Sequence, residues 1–360
     1  MSKAAELANL IGNINAGGGG VNRNLIINGA MAIDQRNGGG SYSQINSSYS
    51  LDRFRGNSYD GGATTGKFTV QRSSTTPDNF AHSLLVTSSA ATSDAANNIF
   101  NIEQLIEGHN TALLQFGTSS AKTITLSFYV RSSLTGTFGG ALKNNARNRN
   151  YPFTYTISSA DTWEEKSITI SGDTSGTWIG ATNETGLWVS FGLGVGSNYS
   201  GSAGAWGAGD YFSATGATSV VGTNGATWYI TGVQLEVGQN ATEFEHEPFE
   251  TTLAKCHRYF YMRGGTAYTP YAQGRALNTT RIRPIVQHLA TMRSAPSVSA
   301  TNVSNITVEG NGVTSITNDV ATTIETMLTI DVASGLTAGQ IVRIYDDGGN
   351  YSRLSFDSEL

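Results

Sequence analysis

The sequence predicts an all-β protein: a jelly-roll-like β-sandwich, preceded by a short N-terminal helix and followed by a second, smaller β-sandwich. Three observations carry that prediction. Only 14% of the residues are charged, with Lys and Glu sparse, which argues against long solvated helices. Glycine, at 43 of 360 residues, joins Ser, Thr and Asn in turn clusters between short apolar stretches. Several of those stretches alternate apolar and polar residues with the period of two that buries one face of a strand.

Residues 1–23 form the first unit. Ser2 is a capping residue, and Ala4, Leu7, Ala8, Ile11 and Ile14 recur at helical spacing, with Leu10 widening the stripe. A helix this short is marginal alone, so Leu7, Leu10, Ile11 and Ile14 need a partner. The same helix in two other subunits, an adaptor protein, or the chain's own sandwich would each serve. The run NAGGGG at 15–20 reads as a flexible linker and favours a separate anchoring helix.

Residues 24–255 make the sandwich, with strands expected at 25–33, 67–72, 83–87, 99–106, 123–131, 152–157, 163–171, 187–195 and 228–237. The most regular is 123–131. There Ile124, Leu126, Phe128 and Val130 face one way, and Thr123, Thr125, Ser127 and Tyr129 the other. In 99–106, Phe100, Ile102, Gln104 and Ile106 share one parity. In 228–237, Trp228, Ile230, Val233, Leu235 and Val237 are apolar, and Gly232 interrupts the period by one residue, as a bulge would. About nine or ten strands between turn clusters is what a two-sheet jelly roll needs.

Two long irregular stretches stand out. Residues 136–150 carry Lys143, Arg147 and Arg149 among Asn and Gly, and residues 194–225 carry Tyr199, Trp206, Asp210, Tyr211 and Phe212 among Gly, Ser, Ala and Thr. Long loops in a compact domain are usually functional or assembly elements. Aromatic rings beside Asn, Asp and Ser suit a sugar: the ring stacks on the apolar face of a pyranose and the polar groups take its hydroxyls. The same rings would equally seal the sandwich or a subunit interface, and both readings stand.

Residues 256–360 continue in short strands at 259–262, 279–289, 296–301, 306–308, 326–332, 341–345 and 353–356, the expected smaller sandwich. Tyr268, Tyr271, Arg275, Asp346, Asp347 and Tyr351 are its loop candidates for ligand contact, with a subunit interface as their other use.

Several blocks carry a resemblance. They are NLIINGAMAIDQR at 24–36, YSLDRF at 49–54, and WYITGVQLEVG followed by ATEFE, PF and LAKCHRYF between 228 and 260. In this order they resemble a β-sandwich module of tail-fibre and other virion proteins of tailed bacteriophages, over about residues 22–263. The resemblance implies a jelly-roll, carbohydrate-binding-module-like domain in a structural protein of the virion, made in the host cytoplasm. With the helix stripe it implies a homotrimer too; the anchoring helix and the loop aromatics then give a tail fibre docked to other tail or head proteins through the N-terminal helix and presenting loops to a host-surface glycan, although the resemblance itself implies no particular ligand. The rivals are a purely architectural head fibre, decoration or connector protein, and a glycan depolymerase.

Composition bears on the remaining classes. The net charge is −5 with Lys and Arg scattered, so no basic stripe for nucleic acid is visible. The single cysteine, Cys256, sits among apolar and aromatic neighbours and reads as a buried small side chain. Residues 1–23 lack a secretory pattern, and no apolar run is long enough for a transmembrane helix. His82, His109, His246, His257 and His288 are isolated, no zinc or calcium pattern occurs, and Asp346 and Asp347 precede a glycine-rich tight turn. The acids Asp161, Glu164, Glu165, Asp173, Glu184 and Asp210 show no pairing across a substrate such as glycoside hydrolysis requires. The expectation is therefore a non-enzymatic protein without metal or cofactor.

Overall fold

The computed structural model describes residues 3–5, 7, 8, 11, 22–44, 46–62, 66–348 and 351–360. The chain divides into two units, residues 1–249 with 360, and residues 250–359.

The first unit contains β1 (Tyr42–Ser43), β2 (Ser48–Leu51), β3 (Phe54–Asp60), β4 (Phe68–Ser73), β5 (Ser83–Ser88) and β6 (Asn98–Glu107). A one-turn helix, α1 (Gly108–Thr111), leads to β7 (Ile124–Ser132), β8 (Gly136–Lys143), β9 (Asn150–Ile157), β10 (Glu164–Ile170) and β11 (Thr185–Val195). The two short strands β12 (Ser200–Gly201) and β13 (Ser213–Ala214) precede β14 (Thr227–Val237). The result is a jelly-roll-like sandwich of two six-stranded sheets. One runs β1-β4-β5-β14-β7-β10, the other β2-β3-β6-β11-β8-β9.

The alternation does what it predicts. Ile124, Leu126, Phe128 and Val130 of β7 meet Trp228, Ile230, Val233 and Leu235 of β14 in the core, all at 0% exposure. Each such side chain contributes about 1.5–3 kcal/mol on burial. The bulge is where Gly232 places it: the β14–β7 register slips between Thr231 and Gln234, and Gly232 has φ +61°. The opening block closes onto that bulge. Val233 donates its N–H to the Gly29 carbonyl at 3.0 Å, and Asn24 brackets the strand through Leu235 N–H and the Val233 carbonyl. The blocks at 24–36 and 228–237, far apart in sequence, are thus bonded to each other. The cost is regularity: residues 25–33, expected as a strand, turn through positive φ at Asn28 and Met31.

The stretch at 136–150 is not the irregular loop expected from its glycines. Residues 136–143 form β8 in the body of the second sheet, leaving only the turn at 144–149. Arg149 anchors that turn with two hydrogen bonds to the buried Asp173 carboxylate, at 2.8 and 2.6 Å. At the N-terminus, residues 3–5, 7, 8 and 11 are helical. Leu7 and Ile11 are 57% and 49% exposed. Leu10 and Ile14 lie outside the described residues.

The second unit holds most of α2 (Phe249–His257), which buries Cys256, then β15 (Phe260–Gly264), β16 (Pro270–Ala276), β17 (Arg281–Gln287) and β18 (Ser297–Thr301). β19 (Ile306–Val308), β20 (Asn311–Ala321), β21 (Glu325–Val332), β22 (Ile341–Asp346) and β23 (Arg353–Asp357) complete it. The expected smaller β unit takes a definite form: a three-stranded sheet, β15-β23-β18, and a closed barrel, β16-β17-β21-β20-β19-β22. Strict alternation drives closure. Ile282, Val286, Val342 and Ile344 are buried between exposed Arg281, Arg283, Ile341 and Arg343, and side chains fill so small a barrel. No helix among the described residues is long and apolar enough to cross a membrane.

Candidate functional site

Strand parity decides what the second sheet shows on its outer face. Phe54, Phe100, Ile102, Leu187, Val189 and Leu142 point into the core, so their neighbours point out. The register then lines those neighbours up across strands. Arg55 lies opposite Glu103, and Glu103 opposite Ser190. Asn57 lies opposite Asn101, and Asn101 opposite Gly192. Leu105 lies opposite Trp188, and Trp188 opposite Lys143.

These residues form one hydrogen-bonded network. Glu103, at 0% exposure, accepts from Arg55 Nε at 2.8 Å, from Asn57 Nδ2 at 2.9 Å and from Asn101 Nδ2 at 3.1 Å. Asn57 Nδ2 also reaches Asn101 Oδ1 at 2.8 Å, and Asn101 Nδ2 reaches Ser190 Oγ at 2.7 Å. Ser47 closes the near side, donating its N–H to Asn57 Oδ1 at 2.9 Å. Buried polar groups are stable only when satisfied in this way, and such networks are stiff.

Residues 196–221 strap across part of this face. Phe212 donates its N–H to the Tyr199 carbonyl at 2.8 Å, and its own carbonyl accepts from Ser190 Oγ at 3.1 Å. The strap can lie this close because the sheet beneath it offers glycine: a Cβ on Gly192 or on Gly139 would fall 2.5 Å from Ser213 Oγ. Lys143 is sealed beneath, at 0% exposure. Its Nζ donates to Asp210 at 3.0 Å, stands 3.1 Å from the Phe212 ring centroid and 4.6 Å from that of Trp188. Burial pulls this ammonium down to about 8, against the opposing pull of Glu103 and Asp210.

Beside the strap a cleft of about 190 Å³ stays open, lined by Arg55, Asn57, Tyr59, Ile99, Glu103, Trp188 and Phe212, with Asn46, Ser47 and Arg147 at its edge. Arg55 stacks on Trp188 with 4.9 Å from its guanidinium carbon to the ring centroid. Trp188 Nε1 is buried with no hydrogen-bond partner among the described residues. Among the described lining residues Glu103 is the single carboxylate.

The residues singled out from sequence fall in three places. Asp210 borders the cleft through Arg147, whose Nε lies 3.5 Å from its carboxylate; Tyr199 packs against Phe212, and Tyr211 lies across Gly201 within the strap. Trp206 lies apart from these. It packs on Phe116, Trp178 and Tyr151 with centroids 5.4–5.6 Å apart, and donates Nε1–H to the Ser171 carbonyl at 2.7 Å, so it seals the sandwich.

In the second unit, pairing of β16 with β22 brings Tyr268, Tyr271, Asp346, Asp347 and Tyr351 to one end of the barrel. Tyr271 and Asp346 are not exposed contact residues. Tyr271 is 3% exposed and donates its hydroxyl to the Ser352 carbonyl at 2.8 Å. Asp346, at 0%, accepts from the N–H groups of Gly348 and Ser352, each at 2.8 Å, and so holds the turn. Tyr268 and Tyr351 are 69% and 57% exposed, and Asp347 is exposed.

Sequence reading passed over Asn57, Tyr59, Glu103 and Trp188, and gave Arg55 no ligand role. The one available signal was the polar parity of 99–106, where Asn101 and Glu103 alternate with core residues. An ordinary solvent-facing strand has the same pattern.

No family model matches the chain, and no curated protein matches it. Solved structures do. The enzymatically active domain of tailspike protein 4 of bacteriophage CBA120 is 11% identical with a TM-score of 0.33, over 60% of this chain and 21% of that one. A putative sugar-binding protein from Bacteroides thetaiotaomicron is 14% identical with a TM-score of 0.34, over 59% of this chain and 99% of that one. A family 11 carbohydrate-binding module from Clostridium thermocellum, solved with a β-1,3-1,4-mixed-linked tetrasaccharide, is 10% identical with a TM-score of 0.28, over 56% and 96%. This chain thus spans about a fifth of the tailspike chain, whose share is 21%. These likenesses are distant, and the site stands on this chain's own residues.

Proposed function

We propose that this chain is a structural protein of a bacteriophage virion, a tail fibre, and that the cleft on its second sheet binds a host-surface glycan without cleaving it. One observation carries the reading: half-buried Tyr59 and Trp188 line the same small cleft as the fixed polar groups of Arg55, Asn57 and Glu103. Rings take the apolar face of a sugar, and the Arg55 guanidinium, fixed by Glu103 and through it by Asn57, donates to its hydroxyls. The polar groups sit on strands and are held by one another, so little ordering is needed on binding. The virion assignment draws on the sequence blocks at 24–36, 49–54 and 228–260.

Binding is favoured over hydrolysis because cleavage needs two facing carboxylates. Glu103 stands alone in the cleft and is already tied by three donors. The exposed Leu7 and Ile11 stripe fits an anchoring helix that gathers three copies, and three weak sites on one fibre gain by avidity. A purely architectural role is favoured by one observation, the packing of half-buried Trp206 on Phe116, Trp178 and Tyr151, which uses that ring within the fold.

The test is a glycan array of host-surface polysaccharides, probed with the native protein and with Tyr59→Ala. Loss of one stacking ring should weaken binding about tenfold while the melting temperature holds. A native protein that adheres to no polysaccharide and to no envelope fraction sinks the reading. So does an unimpaired Tyr59→Ala protein.

A further inference from the structure

A different cleft lies on the outer face of the first sheet, with a volume of about 540 Å³. Its floor is Tyr129 of β7, which stands opposite Glu165 on β10 and Thr231 on β14. The loop at 74–82 folds over it and supplies Asp78, Asn79 and Phe80; the segment after β14 supplies Thr242, Glu243, Phe244 and His246. Phe80 is the hub, with ring centroids 5.4 Å from Tyr129, 5.2 Å from Phe244 and 5.1 Å from His246. The bulge makes room for it: a Cβ on Gly232 would lie 2.7 Å from Phe80 and 2.9 Å from Tyr129. The rings are therefore built into the sheet rather than left on its surface.

The charge of this cleft has one sign. The described residues that line it include Asp78, Glu165 and Glu243, and among them there is no lysine or arginine. Arg23, which reaches the Glu243 carbonyl at 2.7 Å, is engaged by Thr242 Oγ1 at 2.9 Å and by Glu236 at 3.6 Å. Glu165 stands beside Tyr129 on the neighbouring strand, so ring and carboxylate share one wall.

We propose that this cleft is a second ligand site, for a saccharide that carries a free, protonated amine. Anionic sugars are repelled by three carboxylates, and neutral sugars meet them only as hydrogen-bond acceptors. An ammonium gains from both features, the carboxylates and the π faces of Phe80 and Tyr129. A bare ammonium would leave most of the space empty, whereas about 300–1,000 Å³ is the usual range for a small-molecule site. Sugar rings against the aromatic floor, with Asn79 taking a hydroxyl, fill the remainder. The inference shares the glycan theme of the first cleft but none of its residues.

Calorimetric titration of the full chain with a tetrasaccharide of β-linked glucosamine, and with its N-acetylated counterpart, tests it. The free-amine form should bind at least about tenfold more tightly. Asp78→Asn with Glu165→Gln should abolish that preference, while Tyr59→Ala should leave it intact and so keep the two sites distinguishable. Glu184→Gln with Glu250→Gln removes the same charge from exposed positions outside the cleft, and should bind like the native protein. Equal binding of the two tetrasaccharides overturns the proposal. So does an equal loss in the control variant, which would mean bulk attraction of a polycation to an acidic protein. Should the cleft variant fail to fold, the comparison of the two sugars on native protein still decides.

Discussion

Lys143 is buried as a cation, and the protein should therefore become more stable as the pH rises above about 8. In the unfolded chain this lysine titrates near 10.5; in the fold, burial pulls it down to about 8. Between those values the unfolded state holds the extra proton, so stability increases with pH. Below about 8 both states are protonated, and the cost of burying the charge is constant and complete. The interval from about 8 to 10.5, at about 1.36 kcal/mol per pH unit, corresponds to about 3 kcal/mol. Lys143→Met keeps an unbranched apolar stem against Phe212 and Trp188 and removes the charge. Asp210 keeps Arg147 at 3.5 Å as a partner. The variant should then exceed the native protein at pH 7 by up to about 3 kcal/mol, with the gap closing toward pH 10. Urea unfolding at pH 7, 8, 9 and 10, followed by tryptophan fluorescence, measures both curves. Groups that titrate alike in the two proteins cancel in the difference. Parallel curves would refute the argument. A variant weaker at pH 7 by more than about 2 kcal/mol would mean that the ring and Asp210 contacts outweigh desolvation.

Two further outcomes are expected. Gly192→Ala puts a methyl 2.5 Å from Ser213 Oγ and should cost about 1–3 kcal/mol of unfolding free energy, because the strap must lift; an unchanged melting temperature would mean that the strap is loose. If the chain assembles as the proposed homotrimer, Leu7→Asp with Ile11→Asp should yield monomers in sedimentation while leaving the unfolding of the sandwich unchanged. Persistence of the trimer would remove the anchoring role from the helix.

The fold was legible wherever period alone decides burial. The alternation of 123–131 and the one-residue slip at Gly232 transferred directly into β7 and a bulged β14. Residues 136–143 misled because Gly136, Gly139 and Gly140 look like loop punctuation. In the structure at least Gly139 is needed for close approach within a regular strand. The site was far less legible. Aromatic residues in a polar loop drew attention to Trp206, yet Trp206 packs inward on Phe116 and Trp178. The cleft residues come from β3, β6 and β11, whose register across about a hundred residues of chain no local pattern specifies.

The position of the cleft on the second sheet follows from one row of residues. Asn57, Asn101 and Gly192 stand side by side on β3, β6 and β11. Over Gly192 the sheet has no side chain, so Ser213 and Phe212 descend to the backbone and bury Lys143 with them. At Asn101 and Asn57 side chains occupy the same height, and they bond each other and Glu103 rather than the strap. The covering chain cannot descend there as it does over Gly192, because the Asn57, Asn101 and Glu103 side chains already fill that height and are bonded to one another. The boundary between covered and open sheet is thus set where glycine gives way to asparagine. Trp188 and Arg55 stand at that boundary, stacked on each other. Filling the cleft from within the chain would require rebuilding the polar row itself, and this keeps that half of the sheet open, as the proposed glycan site requires.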